Sequence, residues 1–201
     1  MQASENSEFA KMRIEKSFTI NAPQDEVWRF ISSPEKVGKC FPGCQSVTAL
    51  GDDKYKAAIK VQIGPIKTVF NIDFEETEIR PIEFSAYTSR GEESNRASRL
   101  KAESTLSLSP IDDSRTQVDY TSELSIVGRL GKFGAGMMKK KADSLGDEFV
   151  QILRLQIEGP PEAAVAAPAI TEKRGLSGRQ KIIAAAAAAA IILMVLYFLT
   201  R

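Results

Sequence analysis

Few of the side chains that commonly perform chemistry in proteins are present in this sequence. Its 201 residues include no histidine and only two cysteines, Cys40 and Cys44. The lack of histidine excludes Ser-His-Asp and Cys-His nucleophiles, histidine-ligated zinc and a proximal-histidine haem. Two cysteines are too few for a cysteine-only zinc or iron–sulfur centre, and Pro42 and Gly43 oppose a helix that would align the two thiols. We therefore expect no catalytic residues and no metal site.

The overall charge of the chain argues against nucleic-acid binding. Lys and Arg number 27 against 26 Asp and Glu, so no overall field attracts a phosphate backbone. The acidic pairs Glu92-Glu93 and Asp112-Asp113 fall at predicted turns, where we expect them to be solvated, and no inward acid cluster is indicated. Lys139, Lys140 and Lys141 form the main basic run of the body. This run is either a solvated helix face or a surface that docks to anionic headgroups or to an acidic partner.

The C-terminal segment has the composition of a membrane anchor. Residues 182–199 carry no charge and extend about 27 Å as a helix, close to the hydrocarbon thickness of a bilayer. The preceding segment, 159–181, contains prolines and small residues that predict a flexible basic linker. Its cations favour the cytoplasmic side. An ordinary stop-transfer flank is sufficient to explain them, and a site for anionic lipids is the alternative. These cations are Lys173, Arg174, Arg179 and Lys181.

Alternation and helical spacing divide the body, residues 12–158, into elements that follow a leader, 1–11, expected to be disordered. A strand is predicted from Met12 to Ile20, then two short helices, five more consecutive antiparallel strands, and a helix from Leu130 to about Glu158. The predicted inward residues of these strands are Tyr55, Ala57, Ile59, Val61 and Ile63 before a turn at Gly64-Pro65; Ile66, Thr68, Phe70, Ile72 and Phe74 after it; then Ile82, Phe84 and Ala86; Ser98, Leu100, Ala102, Ser104, Leu106 and Leu108; and Val118, Tyr120, Leu124 and Ile126.

This element order is typical of an α+β helix-grip fold, in which a curved antiparallel sheet wraps around a long C-terminal helix. Small inward residues leave volume between the sheet and the helix, which favours an apolar cavity. The side chains expected to line it are the aromatic and thioether groups of Phe41, Phe70, Phe74, Phe84, Phe133, Met137 and Met138, with Ser98, Ser104 and Tyr120 as hydrogen-bonding groups. The same residues are equally typical of ordinary core packing and of hydroxyls satisfied within the core.

Three segments together resemble a known family. They are KCFPGCQSV at 39–47, KVQIGPIKTVFNIDFEETEIRP at 60–81 and GRLGKFGAGMMKKKADSLGDEFVQIL at 128–153. They are similar to the CoxG family of carbon monoxide dehydrogenase subunits, within the START-like, polyketide-cyclase-type (SRPBCC) superfamily, over roughly residues 12–157. The linker and the C-terminal anchor also resemble this family's architecture.

The resemblance implies a non-enzymatic, membrane-anchored domain on the cytoplasmic side of the cell membrane. It implies lipid binding, a quinone (menaquinone or ubiquinone) as ligand, and recruitment of a molybdenum hydroxylase of the carbon monoxide dehydrogenase type to respiratory electron transfer. Two alternatives stay open. One is a pure anchor or adaptor without ligand transfer, and the other is a cyclase-type enzyme.

Overall fold

The computed structural model describes residues 9–51, 53–63 and 65–160. These residues form the following elements, in chain order: β1 (Phe9–Ile20), α1 (Gln24–Ile31), α2 (Pro34–Cys40), β2 (Cys44–Gly51), β3 (Lys54–Ile63), β4 (Ile66–Arg80), β5 (Phe84–Glu93), β6 (Ser98–Asp112), β7 (Arg115–Gly128), a 3₁₀ turn (Gly131–Phe133) and α3 (Ala135–Glu158).

The strands form one curved seven-stranded sheet in the order β1-β7-β6-β5-β4-β3-β2. Every neighbouring pair is antiparallel, and β3 and β4 form a hairpin in which Ile63 lies opposite Ile66. Because β7 also pairs with β1, the chain returns to its first strand after the meander. The sheet and the long C-terminal helix confirm the predicted helix-grip architecture.

α3 covers the concave face mainly along β1, and it also packs against α1 and α2. Its buried side chains recur at helical spacing, as predicted: Met138, Ala142, Leu145, Phe149 and Leu153. Burial of large apolar side chains such as these contributes about 1.5–3 kcal/mol each relative to exposure, so this stripe is a principal source of the helix's stability.

The start of α3 differs from the prediction. The helix begins at Ala135, after a separate 3₁₀ turn, and not at Leu130. Gly128 ends β7 with φ +92°, and a Cβ there would lie 2.2 Å from the carbonyl oxygen of Ala97. Only glycine fits this close approach without displacing backbone. Gly128 therefore fixes how the chain leaves the sheet and enters the helix.

Two predicted strands, β1 and β5, differ in detail from the prediction, and one strand, β2, was not predicted. β1 begins at Phe9, so residues 9–11 belong to the sheet and not to the leader. β2 carries no alternating apolar pattern, which is why its sequence gives no strand signal. In β5 the predicted register is wrong by one residue, because Ser85, Tyr87 and Ser89 are buried while Phe84 and Ala86 face the other way.

The C-terminal predictions lie outside the described residues. The linker beyond Pro160 and the predicted span 182–199 are not among them. Within 9–51, 53–63 and 65–160, no helix has both the length and the apolar character needed to cross a bilayer.

Candidate functional site

The concave face of the sheet is the candidate site, because α3 and the short helices enclose it. Directly opposite residues of antiparallel strands share a face, so the register defines rows that cross the sheet. One such row runs Tyr55, Phe74, Ser89, Ala102 and Leu124 from β3 to β7, and all five side chains are buried. The face is thus mostly apolar, as predicted from the inward stripes.

A second row on this face is polar along its whole length. Glu76 on β4 lies opposite Tyr87 on β5, Tyr87 lies opposite Ser104 on β6, and Ser104 lies opposite Ser122 on β7. We call these four residues the polar row. Tyr87, Ser104 and Ser122 are almost completely buried. Four strands therefore place hydrogen-bonding groups side by side in an apolar interior.

One end of the polar row is satisfied internally. The Tyr120 hydroxyl donates to Ser104 Oγ at 3.1 Å, and Ser104 Oγ donates to Ser122 Oγ at 2.9 Å. Burial raises the pKa of Tyr120 to about 12, although the serine hydroxyls act in the opposite direction. Tyr120 is therefore neutral at physiological pH. Two of the predicted donors, Ser104 and Tyr120, are brought together here, and they bond to each other.

The other end of the polar row is not satisfied in this way. Within the described part of the chain, Glu76 Oε1 and Ser85 Oγ are buried without a hydrogen-bond partner, and so is Ser89 Oγ. Burial, reinforced by the charge of Asp53, raises the pKa of Glu76 to about 7, against smaller opposing interactions with the nearby Ser85 and Tyr87. Buried polar atoms normally find partners, so Glu76 and Ser85 distinguish this end of the row from the end at Tyr120, and Ser89 is a separate unpartnered hydroxyl opposite Phe74.

The inward carboxyl groups correct the sequence prediction. Glu93 was expected to be solvated, yet it is 1% exposed and its carboxylate Oε1 bonds Arg129 Nη2. Its Oε2 and the Arg129 Nε are buried without a hydrogen-bond partner among the described residues. Glu76 and Glu93 are therefore single inward acids on different rows of the sheet, and only the expectation that Glu93 is solvated was wrong. Asp112 and Asp113 are exposed at the β6–β7 turn, as predicted.

The predicted aromatic and thioether residues occupy several environments. Phe70, Phe74 and Met138 are buried in the interior, and the Phe74 ring stacks on Tyr55 with centroids 5.2 Å apart. Phe133 is half-buried against the core. Phe84 is the exception: its ring lies on the outer face under the Arg80 guanidinium, 4.3 Å from the centroid, so its inward placement was wrong. Met137 lies in α3, and its side chain is outside what the structure describes.

Phe41 lies at the corner where α2 meets α3. Its side chain is 3% exposed, and its ring centroid is 6.5 Å from that of Phe149 on α3. This corner is thus closed by an aromatic pair. The neighbouring thiols of Cys40 and Cys44 are free, and burial raises the pKa of Cys40 to about 12, so this thiol is not a thiolate at neutral pH.

The remaining predicted residues lie at the entry to α3 and on its surface. Ser98 is buried and its Oγ accepts a hydrogen bond from the Leu130 backbone N–H at 3.1 Å, so it holds the 3₁₀ turn. Lys139 and Lys140 are exposed, and Lys139 pairs with Asp143 at 3.2 Å. The Lys141 side chain is outside the described structure. So are Lys173, Arg174, Arg179 and Lys181.

A groove of about 1070 Å³ lies on the opposite, outer face of the sheet. Its lining includes Lys56, Asp73, Arg90 and Lys101, which follow one another across β3 to β6. A groove lined by charges of both signs does not match the apolar cavity that the sequence predicts. The concave face remains the candidate site.

Comparison with solved structures places this fold among START-like proteins. A conserved protein from Geobacillus kaustophilus is 28% identical, with a TM-score of 0.68, over 73% of this chain and 95% of that one. A START superfamily protein from Mycobacterium smegmatis is 13% identical, with a TM-score of 0.57, over 73% and 97% of the two chains. The Zhui aromatase/cyclase from Streptomyces sp. R1128 is 17% identical, with a TM-score of 0.52, over 78% and 97%. At 13% and 17% identity, these last two similarities establish the fold alone.

The sequence matches no curated protein. It does match the model of the CoxG family of carbon monoxide dehydrogenase subunits over residues 17–158, from β1 to the last residue of α3. This match includes the whole polar row and both partners of the Phe41–Phe149 contact. The chain therefore belongs to the carbon monoxide dehydrogenase CoxG family.

Proposed function

We propose that this protein is a membrane-tethered accessory protein that binds a hydrophobic ligand, a quinone, and brings a molybdenum hydroxylase of the carbon monoxide dehydrogenase type to the cytoplasmic membrane. The observation that carries the proposal is the concave face, an apolar interior crossed by one polar row. Such an interior suits a ligand with a long apolar chain and a small polar head. Membership of the CoxG family supports the partner, because the family is named for that dehydrogenase.

The ligand's fit follows from the side chains available. Phe70, Phe74 and Met138 offer aromatic and thioether contacts to a ring and an isoprenoid chain. The polar row supplies groups for the ring's carbonyl oxygens. The predicted linker 159–181 and span 182–199 would hold this domain at the membrane surface, within reach of both the quinone pool and a docked enzyme.

Ligand capture by the full chain tests this function. We would purify the full chain from membranes in mild detergent and measure co-purifying isoprenoid quinones by organic extraction and mass spectrometry. We expect close to one quinone per chain, far above the amount that accompanies an unrelated single-span protein purified in parallel. Quinone at the level of that control would contradict ligand binding.

The adaptor alternative is favoured by one observation, the near-complete exclusion of solvent from the concave face. An interior that stays closed would leave attachment as the only role. Pull-down of the hydroxylase by the full chain, with Lys139→Glu and Lys140→Glu introduced together, separates the two roles. If the double variant no longer captures the hydroxylase while its quinone content is unchanged, these lysines belong to the docking surface. If the unmodified chain captures the hydroxylase but contains no quinone, the adaptor role is favoured.

The enzyme alternative is supported by the inward carboxyl of Glu76, because its pKa of about 7 suits a general acid. It requires a turnover that Glu76→Gln abolishes. A polyketide substrate incubated with the full chain and with this variant provides the test. Absence of product from the unmodified chain would leave binding as the role of this carboxyl.

A further inference from the structure

The unsatisfied end of the polar row has the composition of a binding site. Glu76 faces Tyr87 directly, and Ser85 and Ser89 flank Tyr87 on the same face of β5. Ser85 and Ser89 are 1% and 2% exposed, yet neither hydroxyl has a hydrogen-bond partner within the described residues, and the same holds for Glu76 Oε1. Ser89 lies four residues from Ser85 on the same strand, about 13 Å away, so the two polar atoms that share one place are Glu76 Oε1 and Ser85 Oγ. Two unpartnered polar atoms at one buried place are costly unless something else bonds them.

We propose that Glu76 and Ser85 form the site that binds the carbonyl oxygen of an uncharged hydrophobic ligand, with the protonated Glu76 carboxyl as hydrogen-bond donor. The inference rests on the proposed function, because it assigns the polar head of the same ligand to one end of the concave face. It adds which residues bind the polar head group and which classes of ligand they exclude.

The charges around the site determine the ligand class. The groups that act on Glu76 and on its neighbour Tyr55 are Asp53, in the turn before β3, and Glu35 on α2, and both are acidic. Tyr87 on β5 and Tyr55 on β3 are neutral, because burial raises the pKa of both hydroxyls, to about 12 for Tyr55. Among the residues that the structure describes, no cation contributes to the pKa shift of Glu76. A fatty-acid carboxylate or a phosphate headgroup would meet negative charge here, whereas a neutral carbonyl would not.

The protonation state of Glu76 then couples ligand binding to pH. A carbonyl oxygen only accepts hydrogen bonds, so it bonds the protonated carboxyl and not the carboxylate. With a pKa of about 7 before binding, the donor form dominates at pH 6 and is a minority at pH 8. Affinity for a carbonyl ligand should therefore fall about tenfold between these two pH values, since only the competent fraction binds.

Equilibrium transfer from phosphatidylcholine vesicles to the full chain in detergent-free nanodiscs provides the test, with bound ligand quantified by mass spectrometry. The probes are menaquinone-4, the carbonyl-free isoprenoid squalene, and oleate. We expect menaquinone-4 to bind about tenfold more weakly at pH 8 than at pH 6, squalene to show no pH dependence, and oleate to bind more weakly than menaquinone-4 at pH 8. Glu76→Gln keeps a donor without titrating, so its affinity for menaquinone-4 should be equal at both pH values.

Glu78→Gln is the matched control, because Glu78 is exposed on the same strand and should leave the pH dependence intact. Menaquinone-4 binding that is independent of pH in the unmodified chain, or oleate binding tighter than menaquinone-4 at pH 8, would overturn the inference and leave the proposed function standing. Failure of the unmodified chain to bind either isoprenoid would overturn both. The pH profile needs no variant, so the inference stays testable even where Glu76→Gln does not fold.

Discussion

The ring of Phe41, at the C-terminal end of α2, lies 6.5 Å from the ring of Phe149 on α3, inclined at 46°. This contact joins the segment before β2 to the helix that covers the sheet. It closes the corner between α2 and α3 at the edge of the interior. Entry of a ligand by this corner requires the two rings to separate.

Phe41→Leu should therefore speed ligand exchange. Leucine keeps the site apolar but removes the aromatic pair, which contributes about 0.5–1.5 kcal/mol beyond simple burial. We expect menaquinone-4 to leave the full chain for acceptor vesicles several-fold faster, as measured by stopped-flow transfer. Phe30→Leu on α1, a half-buried phenylalanine outside this corner, is the control and should leave the rate unchanged. An unaltered rate in Phe41→Leu would place the entrance elsewhere.

Stability should decrease as pH rises through the range in which Glu76 titrates. Its folded-state pKa of about 7 is above the usual carboxyl value, so between about pH 4.5 and 7 the folded state binds more protons than the unfolded state. The stabilisation from the protonated form is complete at low pH and is lost as pH rises through 7. Allowing for solvent screening of a partly accessible group, we expect the free energy of unfolding to fall by about 1–2 kcal/mol from pH 5 to pH 8.

Urea denaturation followed by circular dichroism, at pH values from 5 to 8, measures this slope. Glu76→Gln should flatten it. Asp112 does not interfere, because Arg115 and Ser114 lower its pKa to about 2, and its contribution is lost only well below pH 5. A slope that is identical in the variant and the unmodified chain would show that Glu76 titrates normally.

Ser104→Ala should destabilise the fold through Tyr120. The substitution removes the acceptor of the Tyr120 hydroxyl and the donor to Ser122, and it leaves both groups buried without that partner. A buried polar group that loses its partner costs about 1–3 kcal/mol. Thr105→Ala, exposed on the same strand, is the matched control and should change the free energy of unfolding by less than about 0.5 kcal/mol. Equal effects in the two variants would mean that water replaces the lost partner.

Arg129→Met alone should lower the free energy of unfolding more than the double variant that combines it with Glu93→Gln. Removing the arginine alone leaves the buried Glu93 carboxylate without its cation, and the cost is about 2 kcal/mol or more even though Arg129 is partly exposed. The double variant carries no charge at this place and should recover part of the loss. Thermal unfolding of the two single variants and the double variant measures the coupling between the two residues. Additive effects would show that Glu93 is hydrated in the folded state.

Side-chain spacing alone was sufficient to predict the elements whose periodicity is strong. The hairpin of β3 and β4, the α3 stripe from Met138 to Leu153, and the turn at Asp112 all follow from side-chain spacing, because one buried face imposes a period of two or of 3.6 residues. The segments 39–47, 60–81 and 128–153 indicated the family. The interior aromatic residues Phe70 and Phe74 were found for the same reason as the hairpin that carries them.

Which polar groups face inward depends on how the strands pair, and the local sequence did not predict it. The inward face of β5 carries Ser85, Ser89 and Glu93, which look like surface residues in sequence, while the more apolar Phe84 lies outside under Arg80. Strand pairing, not local composition, sets the face of each residue, since a shift of one residue reverses every side chain. Glu76 meets Tyr87 through the same pairing. The polar row is a property of register across four strands, and no single segment of the sequence contains it.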